Sequence, residues 1–221
     1  MSVPHRAALA VLALAASATA IASTVPAAPD NGGPRNWVVA STSGAVNLRE
    51  EASPGARALT RYAPGTVLDN VGGCTEAQGR IWCDVQKLGG GARGYVALEY
   101  LKPAVSPDGS VRTGEDDSAL RAGEGKFDAT GKVPCAQHAG QPMTQCDFGV
   151  ARAGGGYATV VITLPDGRKR AIFFRMGIAI GADTSQADGY PQFSATKDED
   201  LNTIKVGTER YEIPDAVVLG G

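Results

Sequence analysis

The chain has 221 residues and a formal net charge of −2. That length accommodates one large domain or two small ones, and so even a charge balance gives the surface nothing that would recruit nucleic acid or an acidic membrane. The four cysteines form an even set of local neighbours, Cys74 with Cys83 and Cys135 with Cys146.

The N-terminus reads "MSVPHRAALAVLALAASATAIAS". His5 and Arg6 make a weakly basic start, and an apolar Ala/Leu/Val run follows from Ala7 to Ile21. Small residues then stand in A-x-A form at Ala18 to Ala20 and Ala20 to Ala22. This pattern predicts a secretory signal peptide over residues 1–22, cleaved after Ala20 or Ala22. A membrane anchor fits less well, because the run is about fifteen residues against the roughly 20 that span a bilayer. No cysteine lies near the cleavage region to carry a lipid. The expectation is an exported protein, periplasmic or secreted, with no membrane association after cleavage.

In an oxidising compartment the cysteines predict two disulfides. Three connectivities are formally open, and the local one, Cys74–Cys83 with Cys135–Cys146, is favoured because the two pairs lie far apart in sequence. A zinc site fails on spacing, since there is no C-x-x-C and His138 is the only histidine after cleavage. No metal or other cofactor is expected.

From about residue 36 to 103, short strand-like runs alternate with turns. Val46 and Leu48 alternate with Asn47, Leu59 stands in the next run, and Ala63-Pro64-Gly65 turns into "TVLDNV". In "RIWCDV", Ile81, Cys83 and Val85 alternate with Arg80, Trp82 and Asp84. "ARGYVA" is the last strand, and "LEYL" closes the unit as a short turn. Five short strands in under 70 residues must curl into a small barrel to bury anything. Cys74 ends one strand and Cys83 lies within the next, so their bond would clamp "TEAQGRIW" as a loop and remove about 2–3 kcal/mol of denatured-state entropy.

The ordered set Asn47, Leu48, Arg49, Gly65, Trp82, Val85, Gly94, Tyr95, Val96, Tyr100 and Leu101 resembles a bacterial SH3-like (SH3b) domain. That family runs from an N-[LV]-R element through a P-G or K-G turn to a Trp shortly before a Val, a G-[WY]-V element and a closing tyrosine-leucine. The likeness covers about a third of the chain. It departs from the pattern at Tyr95, where the family often has tryptophan, and in the added Cys74–Cys83 bridge. The resemblance implies recognition of a cell-wall peptide or a protein ligand. Period-2 geometry points Trp82 away from Ile81, Cys83 and Val85. If those three face the barrel interior, Trp82 lies outside, where it would join Tyr62, Tyr95 and Tyr100 in an aromatic shelf. Packing of Trp82 against the domain's own loops or the second domain is the competing expectation. Arg49 at the loop mouth is the charged candidate beside the shelf.

Residues 104–126 are rich in Pro, Gly, Ser and charge and read as a linker or a long exposed connection. A second domain, 127–221, belongs to no family legible in its sequence. In "YATVVITLPDGRKRAIFFRMG", Asp166-Gly167 predicts a type I′ hairpin turn. That turn sets Val160 opposite Phe173 and Ile162 opposite Ala171. Both faces of the hairpin are partly apolar, which places it centrally. "LNTIKV" and "ERYEIP" add strands, the second with Tyr211 and Ile213 on one side. Arg168, Lys169 and Arg170 read as a basic, solvated hairpin tip. Residues 181–189 read as a polar loop that lacks calcium-loop spacing, and the triplets 89–91 and 154–156 of glycine read as hairpin loops.

The sum is an all-β chain, a small SH3-like barrel followed by an antiparallel sheet or small sandwich, after a cleaved signal peptide. No G-x-S-x-G, H-E-x-x-H or free cysteine nucleophile is present, and the chain is expected not to be an enzyme. The leading expectation is an exported binding protein for peptidoglycan peptide or an envelope protein. An exported inhibitor or accessory subunit of an envelope enzyme is the alternative, its rigid disulfide-closed loops being the device such proteins use.

Overall fold

The computed structural model describes residues 25–184 and 191–220. The segment read as a signal peptide and residues 185–189 of the polar loop lie outside the described residues. The fold is all-β, with two antiparallel sheets.

The first sheet has seven strands: β1 Asn36–Val39, β2 Val46–Arg49, β3 Ala58–Tyr62, β4 Val67–Ala77, β5 Arg80–Lys87, β6 Arg93–Ala97 and β7 Leu101–Pro103. Their order is β3-β2-β6-β5-β4-β1-β7. The strands curl around Trp37, Leu48, Leu68, Cys83, Val85 and Val96, all at most 2% exposed. Two strands more than the five expected complete it: β1 pairs with β4 and β7, and "LEYL" divides into a 3-10 turn, Leu98–Tyr100, and the start of β7.

Both disulfides are local, Cys74–Cys83 and Cys135–Cys146. The first does not clamp a loop. Gln78 and Gly79, at φ of 52° and 71°, form a two-residue hairpin turn with both residues left-handed, so β4 runs on past Cys74. Cys74 and Cys83 stand directly opposite in the ladder. The register of that ladder shifts between Asn70 and Gly73, where Val71 and Gly72 bulge out. The bulge holds the N-terminal segment: Asn70 Nδ2 donates to the carbonyls of Ala27 (2.9 Å) and Pro34 (2.8 Å), and Cys74 N–H to that of Pro26 (2.8 Å).

The second sheet comprises β8 Ala129–Ala136, β9 Thr144–Gly154, β10 Tyr157–Thr163, β11 Lys169–Arg175, β12 Ile178–Ala182, β13 Phe193–Asp198, β14 Leu201–Val206 and β15 Glu209–Pro214. Its order is β12-β11-β10-β9-β8-β15-β14-β13, and it curls until the end strands β12 and β13 lie beside each other. Val160, Ile162, Ile172, Phe174, Ile204, Tyr211 and Ile213 fill the interior.

The β10–β11 hairpin differs from expectation by one residue of register. Val160 faces Ile172 and Val161 faces Ala171, because Leu164 N–H donates to Arg168 O and the loop is Pro165-Asp166-Gly167. Only Gly167 of the three is left-handed, at φ 87°. Pro165 has no N–H to give the ladder and its fixed φ suits the first position of a turn, so it is drawn into a three-residue loop. The shift also moves Arg170 inside. Arg170 is 3% exposed and makes a two-pronged ion pair with Glu209 at 2.8 and 3.0 Å. The basic tip of the sequence reading is therefore not a continuous solvated patch, and Arg168 is itself paired with Asp166 at 2.8 Å.

Residues 104–126 carry structure of their own. Val105 bridges to Val111 and Pro34 to Thr113, and a short helix, α1 Ser118–Gly123, packs on β9 and β10. Ser118 and Thr159 hydroxyls meet at 3.0 Å beneath it. A second helix, α2 Asp215–Leu219, buries Val218. Neither is long enough to leave a helical period in the sequence. Among the described residues no helix is long and apolar enough to cross a membrane.

Candidate functional site

Strand β5 positions the residues that the sequence singled out. Cys83 and Val85 enter the barrel core, so Trp82 projects from the opposite face. There it is not a shelf: it is 2% exposed, lies between Thr75 and Ala97 on the flanking strands, and has the Arg80 guanidinium 5.5 Å from its ring centre. Arg80 follows from the same period, two residues earlier on the same face. It is paired with Glu99, whose carboxyl is held below its usual range by that hydrogen bond. The Trp82 indole nitrogen is buried without a hydrogen-bond partner.

Beside Trp82 lies a concavity of about 150 Å³ lined by Ser43, Asn47, Arg49, Arg80, Trp82 and Tyr100 among others. Arg49, at the end of β2, is oriented by donating Nη1 to Ala56 O at 2.7 Å. Three of the five candidates, Arg49, Trp82 and Tyr100, thus share one pocket. Tyr62 does not join them. It ends β3 facing inward, 8% exposed among the core residues, where burial pushes its phenol pKa up. Tyr95 pairs with Arg49 and Asp84 across the sheet and is not part of the pocket wall. Arg80 escaped the sequence reading, although its spacing from Trp82 is the signal that would have found it.

A larger cleft, about 450 Å³, opens between the two sheets and the connection between them. Its floor is a polar chain. Tyr157 donates its hydroxyl to Asn36 Oδ1, Asn36 Nδ2 donates to Asp69 Oδ1 at 2.9 Å, and Asp69 pairs with Arg175 at 3.2 Å. Arg35 donates to the carbonyls of Gly114 and Glu115 and lies 4.6 Å over the Tyr157 ring. Burial raises the Asp69 carboxyl pKa in spite of Arg175, and burial raises the Tyr157 phenol well above its ordinary value. These residues come from five separate segments, and only the tertiary fold unites them. Among the described residues no three His, Cys, Asp or Glu side chains gather as a metal site.

No family model, curated protein or solved structure matches the chain. The geometry of these two sites therefore carries the functional argument.

Proposed function

We propose that this chain is an exported, non-enzymatic binding protein whose first domain, of SH3b type, recognises a peptide of the cell wall or an envelope protein. The observation that carries this reading is the pocket beside Trp82. It gathers Arg49, Trp82 and Tyr100, residues chosen for the SH3b resemblance, with Arg80 in one concavity. No His or carboxylate among the pocket residues stands ready to act as a base, which favours binding over catalysis. Two disulfides suit an oxidising environment, in keeping with export and with a periplasmic or secreted destination.

The test is co-sedimentation of the exported protein with purified peptidoglycan sacculi, beside an Arg49→Gln/Arg80→Gln variant shown by circular dichroism to be folded. Trp82→Ala is a poor probe, because truncating so buried a ring costs about 3–5 kcal/mol of stability. Binding that the double variant loses supports the pocket. Binding that survives moves the site to the interdomain cleft. No sedimentation of the parent protein removes the wall ligand and leaves an envelope protein as the partner.

A further inference from the structure

We infer that the pocket beside Trp82 is a receptor for a carboxylate, the terminal group of a peptide chain. The inference rests on reading that pocket as the ligand site and goes on to name the chemistry it takes. The inventory of its wall is one-sided. Arg49 and Arg80 donate hydrogen bonds only, and Ser43, Asn47 and Tyr100 each have a donor to offer. No carboxylate lines it.

Arg49 has no ion-pair partner among the described residues, and its bond to Ala56 O leaves the rest of its guanidinium fork uncommitted. Arg80 has a partner in Glu99, but the Glu99 side chain is 51% exposed and solvent screens such a pair. An incoming carboxylate can share or displace it. Guanidinium recognises carboxylate through two parallel bonds, and two arginines on one small concavity supply that geometry twice over.

Size and burial exclude the ligand that an aromatic site would ordinarily suggest. Trp82 at 2% exposure, with Arg80 over its ring, has no free face on which a sugar or aromatic ring could stack. The volume of about 150 Å³ equals roughly five waters at ~30 Å³ each. It falls below the ~300 Å³ at which pockets begin to take whole small molecules. Such a space holds an end group, with the rest of the ligand running over the surface.

The experiment uses N-acetyl-alanyl-alanine as the free acid and as its C-terminal amide, in the L and D series. The exported protein is titrated while its indole N–H resonances are followed by NMR. The protein has two tryptophans. Trp82 reports the pocket, and Trp37, 2% exposed in the barrel core, reports that each variant is folded. The free acid should shift and saturate the Trp82 resonance, with the amide at least tenfold weaker. Glu99→Gln, which frees Arg80, should tighten the acid severalfold, and Arg80→Gln should weaken it about tenfold. Equal binding of acid and amide, no shift with either, or equal competition by inorganic phosphate would each overturn the inference. If acid and amide bind alike while sacculi are still retained through Arg49 and Arg80, the binding function stands and the carboxylate falls. If neither dipeptide nor sacculi bind, both readings fall.

Discussion

Replacing Tyr157 by Phe isolates one bond between the two halves of the protein. Tyr157 is 2% exposed and Asn36 is 3% exposed, and the hydroxyl of the first donates to Oδ1 of the second. The Phe ring keeps its place under Arg35, so the cation–π contact at 4.6 Å persists and no cavity larger than one oxygen opens. What is lost is the partner of a buried carbonyl oxygen, because the Asn36 amide nitrogen is already committed to Leu68 O and Asp69 Oδ1. Leaving such an acceptor unsatisfied costs about 1–3 kcal/mol. In a protein of this size each kcal/mol lowers Tm by about 2–4 °C. Scanning calorimetry and urea denaturation should both register the loss, and the calorimetric peak should broaden as barrel and second sheet uncouple. A double-mutant cycle with Asn36→Ala should return a coupling energy of at least about 0.5 kcal/mol. A Tyr157→Phe protein that melts within 1 °C of the parent, with an unchanged single transition, would refute the claim that this bond joins the two sheets.

Three further outcomes are expected. The Asp69 carboxyl has its folded pKa raised above 3.8, by burial, so the folded protein holds that proton more tightly than the unfolded chain. Stability from this group is therefore greatest when it is protonated and declines as pH rises from the ordinary carboxylate value through the raised one. Asp69→Asn should accordingly gain on the parent between pH 4 and pH 7 in urea titrations, and a difference that stays flat or shrinks would count against it. At Gly149 an added Cβ would meet a ring carbon of Phe127 at 2.6 Å, and Gly149→Ala should cost about 1–3 kcal/mol in denaturant unfolding, relieved by Phe127→Leu. Arg170→Met leaves Glu209 buried without its two-pronged partner and should cost about 3–5 kcal/mol, with Arg170→Met/Glu209→Leu recovering much of it; equal stability of single and double variants would contradict that.

Strand content was legible where one face alternates cleanly. Tyr211 and Ile213 fall on the buried side of β15 as their spacing requires, and the β10–β11 hairpin sits inside its sheet. Register was less legible, because a Pro-Asp-Gly sequence satisfies both a two-residue and a three-residue loop until the N–H that proline lacks is counted. Trp82 shows the limit of period-2 reasoning: alternation sends it to the face opposite Cys83, but it does not say that Arg80 and the neighbouring strands cover that face as well. The cleft was not legible at all. Arg35, Asn36, Asp69, Tyr157 and Arg175 have no common motif, and each alone reads as a surface or strand residue.

The first disulfide gains a purpose from this geometry. Strand β4 breaks register at Val71 and Gly72, and beyond that break the hairpin carrying Arg80 and Trp82 continues past the core toward the Gln78-Gly79 turn. A bulge bends its strand and interrupts the ladder, so the outer part of the hairpin would be free to swing about it. Cys74–Cys83 crosses the two strands on the far side of the bulge, and the Cys74 N–H is further tied to Pro26 O. Both ties fix the segment that sets Arg80 over Trp82. Holding donors in place before a ligand arrives lowers the ordering cost of binding. Closing a loop of sequence separation 9 removes about 2–3 kcal/mol of denatured-state entropy, and under the proposed binding function the bridge's position beside the donor-lined pocket adds preorganisation to that stability.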